Sequence, residues 1–132
     1  ICINMEKNEI QNIVDIVYPN IQKYYGKGKL SIPPIELHKD IYARISGIDG
    51  MEGEDSKTSE AQYEHNANVI YIYYPNMVNE EHIIRSIIHE YTHYLQDSEL
   101  FAKYKKIYSY NEDPTEIEAH KNEENWQMFS LK

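Results

Sequence analysis

Three observations predict an α+β fold for this 132-residue chain. Apolar residues recur at helical spacing through residues 8–25, with Ile10, Ile13, Val14, Val17, Ile21 and Tyr24 forming one stripe. A continuous β-prone run, Asn68-Val-Ile-Tyr-Ile-Tyr-Tyr74, is stopped by Pro75. Helical segments then fill the rest of the chain. The expected order is an N-terminal helix, a small mixed or antiparallel sheet of about three strands, and helices packed behind it.

Each element has a local cause. In the first helix Asn8 with Gln11 suits a cap, Pro19 should kink or restart the helix, and Gly26-Lys-Gly28 should end it. Residues 34–38 and 41–46 read as short strands. Residues 47–59 read as a polar loop whose acids, Glu52, Glu54 and Asp55, form a solvated cluster rather than a metal site. Asn79 is the expected N-cap of a helix over 79–97, with Glu80 and Glu81 at the positive end of its dipole. A helix is expected over 99–110, and another over 113–129 begins at Asp113-Pro114 and is anchored by Trp126 and Phe129. Residues 1–132 are read as a single domain, with 1–7 a poorly ordered N-terminal segment.

The net charge is −9 and there is no basic stripe. Recognition of nucleic acid or of an anionic membrane surface is therefore not expected. No apolar run approaches the roughly 20 residues of a membrane span, and no signal peptide is visible. The lone cysteine, Cys2, cannot form an internal disulfide, which favours a reducing, cytoplasmic location. Tyrosine is abundant, 13 against 2 Phe and 1 Trp. Half-buried rings with wet hydroxyls would account for this; an AT-rich coding bias does so more simply and is the preferred explanation.

The string His89-Glu90-Tyr91-Thr92-His93 carries the chemistry. Histidines four apart lie one above the other on a helix, so two imidazoles approach one cation from the same side. The glutamate after the first points about 100° round the helix, where it can reach a metal-bound water without ligating the metal. The flanking residues Ile87, Ile88, Tyr94 and Leu95 are uncharged, as an interior metal helix requires. His82, two turns before His89, lies about 10.5 Å along the axis and is too far to share the ion. His38 and His65 read as surface residues.

Zinc needs a third protein ligand. Residues 111–120 offer Glu116 and Glu118, which point to nearly opposite sides of their helix. Glu116 could instead close a capping box with Asp113. HExxH followed on a second helix by Glu-x-x-Ala resembles the gluzincin metallopeptidases, here as His89-Glu90-x-x-His93 and Glu116-x-x-Ala119-His120. The chain looks most like the minimal single-domain members, the minigluzincins and similar small phage or prokaryotic peptidase domains. The resemblance implies a zincin-like fold and Glu116, rather than Glu118, as third ligand. His120 departs from the Asp or Asn that often follows the ligand by four. It also implies that strand 68–74 borders the cleft.

The resulting expectation is a zinc-dependent peptide hydrolase acting on a peptide or protein substrate. One Zn²⁺ per chain would be held by His89, His93 and Glu116, with Glu90 as general base. Tyr108, Tyr110 or His120 would serve the oxyanion. The alternative is a zinc-stabilised regulatory or partner-binding protein with little or no proteolytic activity. A structural zinc site usually closes four ligands, often with Cys, which favours the open, catalytic type.

Overall fold

A computed structural model describes residues 5–39 and 60–131. The strand expected over 41–46, the loop over 47–59 and Cys2 lie outside the described residues.

The protein is α+β. Helix α1 spans Lys7–Tyr25, and strands β1 (Ile35–His38), β2 (Ala61–Glu64) and β3 (Val69–Tyr73) follow. Helices α2 (Glu80–Leu95), α3 (Ser98–Ile107) and α4 (Pro114–Glu123) complete the described architecture. Helix α1 starts earlier than Asn8 because the Glu9 carboxylate accepts from the Glu6 backbone N–H at 3.2 Å, and Met5 packs against the core. Exposed Pro19 sits inside the helix without ending it.

The sheet is mixed, in the order β1-β3-β2. β3 pairs parallel with β1 (Ile35 opposite Ile70) and antiparallel with β2 (Tyr63 opposite Ile70). Both edges of β3 are thus occupied by neighbours. It is the central strand, buried along its length, and not the border of the cleft; that place falls to β2. The β2–β3 turn closes at Asn68, in the left-handed region at φ 54°. The Asn68 side chain accepts from Tyr63 Oη at 2.7 Å and donates to Ser31 O at 2.8 Å.

The core lies between α1, α2 and one sheet face. Ile10, Val14, Val17 and Ile21 of α1 meet Ile83, Ile84, Ile87 and Ile88 of α2 over Ile70 and Ile72. The segment from Gly26 to Pro33 crosses this core's edge and is held by phenols. Tyr91, Tyr94 and Tyr18 donate to the carbonyls of Gly26, Leu30 and Pro33 at 2.5 Å each. The Gly28 N–H donates to Tyr94 Oη at 2.9 Å, and a Cβ on Gly28 would lie 3.2 Å from Tyr94 Cζ, a tight approach that the Tyr94 ring would have to yield to. These tyrosines do structural work that a coding bias leaves unexplained.

The last helix is shorter than the expected 113–129. It ends at Glu123, and residues 124–129 wind as a 3₁₀ turn. In that tighter turn residues three apart eclipse, which sets Trp126 and Phe129 on one side, Phe129 against Tyr24 and Tyr25. Among the described residues no helix is long and apolar enough to cross a membrane.

Candidate metal centre

Helix α2 begins where the Asn79 side chain accepts from the His82 N–H at 2.8 Å. Buried Ile83, Ile84, Ile87 and Ile88 fix its rotation, and the opposite face turns His89 and His93 toward α4, their rings 4.9 Å apart. Helix α4 is started by Asp113, whose Oδ1 accepts from the Thr115 N–H at 2.9 Å and from Thr115 Oγ1 at 2.6 Å. Thr115, rather than Glu116, therefore completes the cap, and Glu116 is left to face α2. Ala119 of α4 is fully buried, and α4 packs against α2.

The three expected ligands converge. Glu116 Oε1 lies 2.9 Å from His89 Nε2 and 3.1 Å from His93 Nε2. Glu118 points away and accepts from Gln96 Nε2 at 2.7 Å. Each histidine is oriented through its other nitrogen, a recurrent feature of metal-ligating imidazoles. His89 Nδ1 lies 2.6 Å from Glu123 Oε2, and His93 Nδ1 lies 2.8 Å from Gln96 Oε1. Neither partner was anticipated from the sequence. Glu123 follows Glu116 by seven residues and so returns to the same helix face two turns on; that spacing was the available signal.

Lys105 of α3 binds the second oxygen of Glu116, and its Nζ lies 3.1 Å from Asp113 Oδ2. Burial would raise Glu116, but hydrogen bonds from His89, His93 and Lys105 hold it well below the usual carboxylate range. Burial would lower His89, yet Glu116 and Glu123 outweigh it and raise it to about 10. The two imidazole nitrogens and the carboxylate oxygen are the atoms of an N,N,O metal site. The donors lie within 4.8 Å of one another, and two imidazoles with one carboxylate suit a borderline cation such as zinc. The residues therefore fit the metal that the sequence suggested.

A second group, His89, His120 and Glu123, also brings its donors within 4.8 Å. It draws on the opposite nitrogen of His89, and Glu123 already accepts from that nitrogen.

Glu90 is buried beside the cluster and is no part of it. Its Oε1 accepts from the Tyr63 N–H of β2 at 2.9 Å. Burial raises its pKa, against the pull of His89 and His93. A cavity of about 360 Å³ opens here, lined by β2 residues 61–64 together with His65, His89, Glu90, His93, Phe101, Tyr110 and Glu116. His65 is not the plain surface residue expected from sequence. Its ring lies 4.5 Å from Phe101 and 4.7 Å from Tyr63, and burial, with His93 nearby, lowers its pKa.

Of the three oxyanion candidates, Tyr110 and His120 reach the cleft. Tyr110 Oη lies 2.8 Å from His120 Nε2, and the His120 ring lies 4.7 Å from His89. Tyr108 meets Tyr104 edge-on at 5.7 Å and lines neither this cavity nor its neighbour. Compared with known proteins, the chain matches no family model, no curated protein and no solved structure.

Proposed function

We propose that the protein is a zinc-dependent peptide hydrolase. The observation that carries the reading is the separation of roles at one helix turn: His89 and His93 turn their Nε2 atoms to Glu116, while Glu90 between them points to the cleft wall at Tyr63. A zinc ion in that triad supplies Lewis acidity, lowering the pKa of water and polarising a scissile carbonyl. His89 and His93 would hold it through Nε2, with their Nδ1 atoms directed at Glu123 and Gln96. Glu116 would contribute a carboxylate oxygen, and Lys105 pairs with its other oxygen. Glu90, made more basic by burial, accepts the proton of the attacking water at the oxygen not held by Tyr63. It returns that proton to the departing amine. An extended substrate lies along β2, the strand lining the cavity.

The test is Glu90→Gln. The variant keeps its fold and its zinc, since Glu90 is not a ligand, and loses roughly 10²–10⁴-fold in rate. Parent and variant are loaded with zinc and incubated with a peptide library read by mass spectrometry. Zinc-dependent cuts made by the parent and missing with the variant support the reading. A parent that cuts no better than the variant leaves a zinc-stabilised binding protein as the account.

A further inference from the structure

The metal cleft opens at its two ends onto unlike surroundings. Past His89 it meets polar and charged side chains, among them Glu60, His82 and Arg85. Past His93 it continues, through Tyr63, His65 and Phe101, into a larger cavity of about 940 Å³, a volume within the range of ligand pockets. This chamber lies between the connector after α1, the end of β2 and the start of α3. Leu30, Tyr63, Tyr94, Leu95, Phe101 and Ala102 give it apolar walls. A line of rings leads into it from the metal site. His93 meets Phe101 at 4.9 Å, Phe101 meets His65 at 4.5 Å, His65 meets Tyr63 at 4.7 Å and Tyr63 meets Tyr94 at 6.0 Å. The two tyrosines are pinned by their hydroxyls, Tyr63 to Asn68 Oδ1 at 2.7 Å and Tyr94 to Leu30 O at 2.5 Å. His65 is held differently. Its Nε2 is buried with no hydrogen-bond partner among the described residues, so on that side ring contacts alone hold the imidazole.

Resting on the peptidase reading, we infer that this chamber selects the substrate: it takes an aromatic side chain, phenylalanine or tyrosine, from a peptide laid along β2, with Phe101 at its neck as the specificity-determining residue. An extended peptide turns alternate side chains to the same face. One that faces the helices as it passes Tyr63 and His65 enters among the rings. Aromatic rings prefer edge-on or offset contacts with centroids about 4.5–7 Å apart, and the wall rings already stand at such spacings from one another. The pinned tyrosines keep the walls in place before the substrate arrives, so little ordering is needed on binding. His65, unheld at Nε2, is the ring that gives way. Lys29, Asp97 and Glu99 leave the lining with a net negative charge, which disfavours an acidic side chain. The chamber lies at one end of the cleft, so the preference falls on one side of the scissile bond.

The experiment uses the full chain loaded with zinc. Parent, Ala102→Trp and Phe101→Leu are incubated with a peptide library, and the cut sites are aligned by mass spectrometry. The parent is expected to prefer phenylalanine or tyrosine over alanine by about tenfold or more at one fixed position on one side of the cut. Ala102→Trp, whose indole fills the chamber, brings that ratio close to one. Phe101→Leu, which keeps an apolar wall but loses a ring, lowers it roughly threefold. Ala102 is exposed, so folding is expected to survive, and circular dichroism and zinc content verify it. A second measurement does not depend on cutting. Zinc-loaded, ¹⁵N-labelled Glu90→Gln is titrated with acetyl-Gly-Gly-Phe-Gly-Gly-amide and with its alanine counterpart. The phenylalanine peptide is expected to shift the amides of Leu30, Asn66 and Ala102 and to bind about tenfold more tightly. Cuts with no aromatic enrichment, or with enrichment that Ala102→Trp retains, overturn the chamber's role and leave the peptidase reading standing. A parent that cuts nothing, while the phenylalanine peptide still shifts those amides, overturns the hydrolase and keeps the chamber as a peptide-binding site. No cuts and equal affinity for the two peptides overturn both.

Discussion

Glu123 shows how one side chain outside the recognised motif can govern a site. Its oxygen fixes His89 at 2.6 Å, and without that bond the imidazole would be free to flip its tautomer. Glu123→Gln is expected to weaken zinc affinity roughly 10–100-fold, while Glu118→Gln, on the far side of the same helix, leaves it unchanged. Competition with a chromogenic chelator measures both; identical affinities in parent and Glu123→Gln would refute the role given to this carboxylate. At this scale His89, Glu90 and His93 were legible because helical spacing alone brings them together. Glu116 was reached through resemblance rather than geometry. Glu123, Gln96 and His65 were not legible, since each depends on how two elements face each other. A histidine between Tyr63 and Phe101 cannot be told from a surface one until β2 and α3 are in place.

At the scale of elements, helix pairing decides whether the donors meet. Ala119 is fully buried on α4, the helix that packs against α2. Leucine there adds methylenes to a packed seam, at a cost of about 1–3 kcal/mol, and pushes Glu116 away from the histidines. Ala119→Leu should therefore unfold at a lower temperature and bind zinc less tightly than the parent, whereas Ala119→Ser should change both far less. A leucine variant with parental melting and parental affinity would show that the seam is slack. The long elements were legible: α1 and α2 from periodicity, β3 from its β-prone run. β2 was not. Ala61-Gln-Tyr-Glu64 is four residues with two polar members, and it becomes a strand through pairing with β3. The end of α4 was misjudged because helical spacing does not distinguish an α-turn from the 3₁₀ turn that seats Phe129.

For the molecule as a whole, composition was poor about cause. The tyrosine excess said little until the hydroxyls could be followed to their acceptors. Those hydroxyls join α1 and α2 to the segment between Gly26 and Pro33, and this has a consequence for base stability. A phenolate cannot donate to a carbonyl. Burial, with neighbouring phenols adding to it, pushes Tyr91 up to about 12 and Tyr18 higher still. Folded values above the ordinary 10 mean that these bonds contribute fully below that pH and are lost as pH rises through about 12. Alkaline titration followed by phenolate ultraviolet absorbance should show a late group of tyrosines that ionise together with the loss of helical circular dichroism. Tyr91→Phe should remove one of them. Smooth ionisation of every tyrosine with the helices intact would contradict it. The same phenols that anchor the connector thus make the fold a base-labile one, opened by hydroxide as they ionise.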